Sequence, residues 1–346
     1  MEFHYSSYLL EYKHAFGVSS NSRKQTPSVF TQLQWEGFVG YGEACLPPYL
    51  GETPEETINF FEKARKILEK AVYPCSIAEL IMEIDELDAH CNAAKAAIDI
   101  ALHDLKGKIE GKSVAELYGI QPAHHITTAC TIGIDTPEIL RQKIKEAAEF
   151  KILKIKAGTS NDRELIESIR QLTDKPLYVD VNQGWDDKHK ALDLIYWMKD
   201  QNIKLIEQPF PVQQVEATAW LTERSPLPII ADESCKRLND LKDIKGVFHG
   251  INLKLMKCTG LKEAFETIER CKQMNLKLFI GCMAESSCAT SAMAQFASCA
   301  DFVDLDAPYL LKNDPFKGIS YHQGEIALTH EKGIGANPLN EVMVFE

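Results

Sequence analysis

Lys154-Ile-Lys156-Ala-Gly158, Asp180-Val-Asn182, Glu207-Gln-Pro209, Asp232-Glu233-Ser234, Asn252-Leu-Lys254 and Asp304-Leu-Asp306 each close a short apolar run. From Lys156 through Asp180, Glu207, Asp232 and Lys254 the intervals are 24, 27, 25 and 22 residues. A strand of ~5–6 residues, a helix of ~11–12 and two short loops need about that length. A βα unit repeated with polar residues at each strand end predicts a parallel barrel, whose C-terminal face is where active sites gather. Two lysines and three carboxylates are thereby expected around one mouth.

Working outward, apolar runs place barrel strands near 126–133, 152–157, 176–181, 203–207, 228–232, 250–254, 277–281 and 302–304. Helical patterns fall between them near 136–150, 161–173, 187–200, 213–223, 237–243, 260–274 and 286–298. Upstream the order differs. Alternation over 2–13 and a hairpin of 28–35 with 37–43, turned at Glu36-Gly37, precede three helices. The first helix is capped at Thr53-Pro54-Glu55-Glu56, and the others span 76–87 and 91–107, with Gly107 and Gly111 marking the end. Strands first and helices after suggest a separate α+β unit. The fold class is α/β: a TIM-type (β/α)7β barrel with an α+β capping domain. The expected division is 1–122 for the capping domain, 123–312 for the barrel, and 313–346 for a tail packing back on the cap.

The 346-residue chain carries 38 basic and 50 acidic residues, a net charge of −12. That argues against nucleic-acid binding, which needs a basic surface. No run is apolar for long enough to span a bilayer, and the N-terminus Met1-Glu2-Phe3-His4 has neither the basic nor the apolar stretch expected of a signal peptide. The ten cysteines form no C-x-x-C pair and read as reduced thiols of a cytoplasmic protein. The ten histidines show no metal-binding spacing, and His124-His125 reads as linker.

Any one acid at a loop start is most simply a solvated charge. Three at successive strand ends converge and repel unless a cation lies between them. Oxygen-only ligands suit a hard ion, and Mg²⁺ leaves positions open for substrate oxygens. Asp180, Glu207 and Asp232 are therefore the expected ligands of one Mg²⁺. Lys156 precedes the acid-bearing strands and Lys254 follows them, so the two face each other across the mouth. Lys154 shares the inward face of Lys156, where it can touch substrate and lower its neighbour's pKa. A metal and two opposed bases suit proton abstraction next to a carboxylate: the ion stabilises the enediolate. One lysine removes the α-proton and the other returns one on the opposite face, which is racemisation or epimerisation; with a leaving group on the β-carbon the same intermediate would eliminate instead.

These motifs together resemble the enolase superfamily, in its muconate-lactonizing-enzyme subgroup. The Ala96-x-x-Asp99-x-Ala101 helix and the Gly51-Glu52 loop extend the resemblance over nearly the whole chain. Thr259-Gly260 departs from the Gly-Gly of many relatives and touches a loop turn only. The resemblance implies Lys156 and Lys254 as the acid–base pair and Asp180, Glu207 and Asp232 as Mg²⁺ ligands. It also implies that Asn182 positions Asp180 and that Glu233 pairs with a lysine behind them. Self-association into a homo-oligomer is common for such proteins.

Asp304 and Asp306 lie two apart on one strand, share a face, and would attract a substrate cation. This resembles dipeptide epimerases, where a D-x-D pair holds the substrate's α-ammonium. By the same resemblance Thr131 contacts substrate, and Cys282 lies on the preceding strand end that lines the pocket. The implied substrate is an Ala-Xaa dipeptide inverted at the α-carbon of Xaa. Tyr49, Leu50 and Met283 suit a small or apolar Xaa, toward which the sequence leans. Arg23 and Lys24 suit an acidic one, which would make the chain an L-Ala-D/L-Glu epimerase. The same scaffold also carries o-succinylbenzoate synthases and muconate cycloisomerases, whose substrates lack an ammonium group and leave Asp304 and Asp306 idle. A non-catalytic binding protein on this fold would have no need of both lysines and all three acids.

Overall fold

The computed structural model describes residues 1–17, 22–73, 75–121, 125–339 and 343–345. The chain opens with an antiparallel sheet of β1 (Glu2–Gly17), β2 (Ser22–Trp35) and β3 (Phe38–Cys45). Glu36 and Gly37 turn the hairpin with φ of +47° and +85°, the paired positive values of a twist-matched turn. The β1–β2 register breaks between Glu11 and Phe16, so residues 12–15 bulge from the ladder.

Helices α1 (Pro54–Leu68), α2 (Ile77–Asp85), α3 (Asn92–Glu110) and α4 (Val114–Leu117) follow. Thr53 and Glu56 form a reciprocal capping box on α1. Gly107 does not end α3. It lies inside the helix because Gly333 packs against it, and a Cβ there would stand 2.6 Å from the Gly333 Cα. Gly111, at φ +66°, is the terminator.

The expected first barrel strand divides in two. Ile126–Thr127 (β4) leaves the barrel to pair elsewhere, and Ala129–Ile132 (β5) alone joins it. Thr128 sits at the break, its amide on the Gly324 carbonyl at 3.2 Å and its hydroxyl accepting from the Leu305 amide at 2.9 Å. The barrel then runs α5 (Pro137–Glu146), β6 (Ile152–Lys156), α6 (Asp162–Arg170), β7 (Leu177–Asp180), α7 (Lys188–Asp200) and β8 (Ile203–Glu207). It continues through α8 (Val215–Arg224), β9 (Ile229–Ala231), α9 (Leu241–Ile244), β10 (Gly250–Leu253), α10 (Leu261–Met274), β11 (Lys277–Gly281), α11 (Ser287–Ala294) and β12 (Phe302–Asp304). All eight strands, β5 to β12, are parallel and stand in sequence order, which is the (β/α)7β barrel. Beyond β12 lie α12 (Ala307–Leu310), β13 (Phe316–Lys317), β14 (Ser320–His322), β15 (Glu325–Ala327) and β16 (Asn337–Pro338). Within this tail β15 pairs with β4, and Phe316 stacks on Phe30 of β2 at 5.3 Å.

One apolar layer plugs the barrel interior. Ala129, Tyr178, Leu205, Ile230 and Phe279 are buried there, with Ile152 and Phe302 against them. Side chains alternate along a strand, so the next inward residue on each is two further on: Thr131, Lys154, Asp180, Glu207, Asp232, Gly281 and Asp304. A charged layer therefore rests directly on an apolar floor.

Buried carboxylates of the N-terminal unit clamp it to the barrel by capping barrel helices. Asp99 of α3 accepts from the amides of Leu261 and Lys262 at the start of α10. Glu43 of β3 accepts from the amides of Ser286 (3.0 Å) and Ala289 (3.2 Å) at the start of α11. A helix N-terminus carries orphan N–H groups and partial positive charge, so an anion there is stabilising.

Candidate active site

The three acids behave as their spacing predicts. Asp180, Glu207 and Asp232 are all buried, and one oxygen from each lies within 4.8 Å of the others. The Asn182 amide donates to Asp180 Oδ1 at 3.0 Å, so it is the backbone of Asn182, at φ +46°, that orients this acid. Asn252 Nδ2 donates to Glu207 Oε1 at 2.8 Å. Gln208 Oε1 accepts from the Asp232 amide at 3.0 Å. Gly281 leaves room for Asn252, since a Cβ there would come within 2.4 Å of its Oδ1.

Four lysines surround the acids. Lys156 donates to Asp180 Oδ2 and Lys254 to Asp232 Oδ2, each at 2.6 Å. Their strands, β6 and β10, are four apart in an eight-strand barrel, so the two approach from opposite sides. Lys154 lies deeper. It donates to Asp304 Oδ2 at 2.8 Å and sits 2.8 Å from Glu207 Oε2, at an angle that makes no hydrogen bond. Lys257 was not singled out by sequence. Its ammonium is held by Asp232 Oδ1 at 2.6 Å and by the carbonyls of Asp232 and Asn252 at 2.7 Å. Its place in Lys254-x-x-Lys257 was the available signal.

The contacts of Lys154 and Lys254 do not depress their pKa values. Burial pulls Lys154 and Lys254 down, but the facing carboxylates outweigh it and hold both well above the ordinary lysine value. Burial likewise raises Asp180, and Lys156 with Lys154 more than reverse that. Lys254 and Lys257 hold Asp232 well below its usual range against burial. Glu207 goes the other way: burial and then Asp180 push it to about 7. A buried carboxylate with one oxygen free of hydrogen bonds, raised beside two others, is the environment a hard divalent cation relieves. The donor set therefore fits Mg²⁺.

Glu233 forms no ion pair with a lysine among the described residues. Its Oε2 is buried without a hydrogen-bond partner, and burial and then Asp232 raise it to about 7. It is a wall of the cavity instead. That cavity, about 160 Å³, also takes in Thr131, Lys154, Lys156, Asn182, Asp232, Lys254, Cys282, Asp304 and Asp306. Thr131 ties the last two acids together: its amide donates to Asp306 Oδ2 and its hydroxyl to Asp304 Oδ1 at 3.3 Å. Cys282 Sγ donates to the Asp304 carbonyl at 3.3 Å.

The outer wall comes from the N-terminal unit. Phe16, Arg23 and Tyr49 line the same cavity, facing Met283 of the barrel. Arg23 Nε donates to the Tyr12 hydroxyl at 3.3 Å, and its guanidinium lies 5.7–6.0 Å from the rings of Tyr12, Phe16 and Tyr49. Lys24 is exposed on β2. Residues 18–21, just before Arg23, lie outside the described ones, as does His124.

Residues 139–342 match the model for an enolase C-terminal domain-like region. Residues 9–119 match the mandelate racemase / muconate lactonizing enzyme N-terminal domain. A Bacteroides thetaiotaomicron protein named L-Ala-D/L-Glu epimerase is 46% identical over 336 residues, covering 97% of this chain and 87% of that protein. The crystal structure of a dipeptide epimerase from Enterococcus faecalis, complexed with Mg and L-Leu-L-Tyr, superposes with a TM-score of 0.90 at 30% identity. The match covers 97% of this chain and 98% of that one. A substrate-liganded L-Ala-D/L-Glu epimerase from Bacillus subtilis gives a TM-score of 0.91 at 25% identity, over 97% and 98% of the two chains.

Proposed function

Because this chain belongs to the enolase superfamily, in its mandelate racemase/muconate lactonizing enzyme branch, we propose that it is an Mg²⁺-dependent dipeptide epimerase. The observation that carries this is the placement of Lys156 and Lys254 on opposite sides of one cavity that also holds Asp304 and Asp306. Asp180, Glu207 and Asp232 would hold the ion. When bound, the ion would take the substrate carboxylate, stabilise negative charge on its oxygens, and offset the pull of the acids on the lysine protons. Asp304 and Asp306 anchor the α-ammonium of the first residue, with Thr131 fixing their geometry. This sets the α-carbon of the second residue between the lysine ammoniums. One lysine, as free amine, takes the α-proton, and the other, as ammonium, delivers a proton to the opposite face. Lys154 and Lys257 hold the acids and transfer no proton. The capping unit is assigned to residues 1–122, the barrel to 123–312 and the returning tail to 313–346.

Arg23 favours an acidic Xaa over the small or apolar one that sequence suggested. It is a permanent cation on the cavity wall, and among the described residues it is bound there to a phenol and to ring faces. Its counterpart in substrate would be the side-chain carboxylate of a glutamate or aspartate.

The test is proton NMR in D₂O with Ala-Glu, Ala-Ala and Ala-Leu, each with Mg²⁺ and with EDTA. Loss of the Xaa α-proton with growth of the diastereomer, abolished by EDTA, is the expected result. Arg23→Leu is expected to lower kcat/KM for Ala-Glu by about tenfold or more and to leave Ala-Leu within a few-fold. Exchange confined to Ala-Leu and Ala-Ala would refute the acidic assignment. No exchange with any dipeptide would refute the epimerase.

A further inference from the structure

A second cavity, about 440 Å³, lies behind one wall of the first. The two share Phe16, Thr131 and Leu310. Its roof is the β1 bulge, where Tyr12, Lys13, His14 and Ala15 leave the β2 ladder. The segment after β12 stitches that bulge down. Tyr12 bridges Leu311, the Lys312 amide donates to the Glu11 carbonyl at 2.8 Å, and Lys13 Nζ donates to the Tyr309 carbonyl at 2.6 Å. Other polar groups around the chamber are also engaged. His14 pairs with Glu146 at 2.7 Å, and Lys143 is held by Asp135 at 3.1 Å and the Ala15 carbonyl at 3.2 Å. What remains facing inward is mainly apolar: Cys130, Ile132, Leu310 and the Tyr309 ring.

The chamber begins where the ammonium anchor ends. Thr131 lines both cavities and bonds Asp304 and Asp306, while Leu310 ends the short helix that starts one residue after Asp306. We infer that Phe16 and Leu310 set the specificity for the first residue of the dipeptide, by walling its side chain off from an apolar chamber that would accept a large aliphatic group. This rests on the dipeptide reading above, since Asp304 and Asp306 must hold the ammonium for the first side chain to meet that wall. With both walls present the site favours a first residue of alanine size. With either one trimmed, the two cavities merge.

Paired dipeptides Ala-Xaa and Leu-Xaa, Xaa being the residue the wild-type protein prefers, test this by α-proton exchange. The readout is the ratio of their kcat/KM values, which cancels any general loss of activity. Phe16→Ala and Leu310→Ala are each expected to raise the Leu-Xaa to Ala-Xaa ratio by about tenfold or more, the discrimination one or more methylenes command in an apolar pocket. Phe16→Leu, which keeps an apolar contact if the alanine variant fails to fold, is expected to move it less, in the same direction. A ratio unmoved in these variants, or a wild-type protein already indifferent between the two substrates, overturns the wall assignment alone. A wild-type protein that exchanges no dipeptide overturns both readings.

Discussion

Removing the Asp99 carboxylate tests how the two units are joined. Asp99 is fully buried on α3, and its Oδ2 accepts from two amides, Leu261 and, at 3.2 Å, Lys262, at the start of α10. No side chain of α10's own N-cap serves there, because that residue is Gly260. Gly260 has to be glycine: its φ is +115°, and a Cβ would stand 2.3 Å from Asp99 Oδ2. Losing an ordinary N-cap costs ~0.5–2 kcal/mol. Here the freed Leu261 amide is also buried and that of Lys262 partly so, and an unsatisfied buried donor costs about 1–3 kcal/mol. The two figures describe the same bonds and do not add, so Asp99→Ala should cost about 3 kcal/mol. Asp99→Asn keeps an acceptor oxygen and loses the charge at the helix end, for about 1 kcal/mol.

Urea unfolding followed by far-UV circular dichroism and by tryptophan fluorescence reads this directly. Trp35 reports the N-terminal sheet, and Trp185, Trp197 and Trp220 report the barrel. Coincident transitions license a single free energy. The thermal midpoint of the alanine variant should fall by roughly 4 °C. Two outcomes would refute the reasoning: a loss below about 1 kcal/mol in Asp99→Ala, or an equal loss in both variants. The second would mean that charge, and not the cap, is what matters.

Three further expectations follow from other sites. Thr259 is β-branched yet held at φ +62°, a costly conformation for such a residue. Thr259→Gly should stabilise by ~0.5–1 kcal/mol after the loss of its hydroxyl bond to Glu263, and a lower urea midpoint would contradict this. Lys156→Ala and Lys254→Ala should each abolish epimerisation, while one of them still exchanges the α-proton of a single epimer in D₂O. Full activity in either would end the two-base mechanism. Glu285 is buried, with Oε1 unpartnered, and burial and then Glu43 raise it to about 8. A raised folded-state carboxyl contributes stability below its unfolded value, and that contribution fades as pH climbs toward 8. Glu285→Gln should therefore gain on wild type between pH 5 and pH 8, by on the order of 2 kcal/mol, and a flat difference would count against it.

The barrel and its charged mouth were legible because one regularity generates both. The plug residues Tyr178, Leu205 and Ile230 are each followed two positions later by an acid, so spacing alone placed Asp180, Glu207 and Asp232 on one face. The contacts made across the barrel were not legible. Lys154 reads as a substrate contact beside Lys156 and does line the cavity, but its bond to Asp304 of β12, 150 residues away, had no signal in the sequence. Glu233 looks like a partner for a lysine, but Asp232 already engages Lys254 and Lys257. Phe16 gave no signal, because the bulge that aims it at the site is a register break and has no composition of its own.

Charge balance links the ion, the substrate and Arg23. Six carboxylates line or underlie the cavity: Asp180, Glu207, Asp232, Glu233, Asp304 and Asp306. Four ammoniums face them, on Lys154, Lys156, Lys254 and Lys257. Two negative charges are left over, and burial together with a neighbouring acid raises Glu207, Glu233 and Asp306 to about 7. One divalent cation supplies the missing charge. A dipeptide with a neutral second residue then adds an ammonium and a carboxylate and leaves the total unchanged. One with an acidic second residue adds a single negative charge. Among the described residues, the cation on the cavity wall not engaged with an acid is Arg23, which packs on Tyr12, Phe16 and Tyr49. On the proposed epimerase reading, an acidic Xaa would bring metal, lysines, acids and arginine to neutrality together.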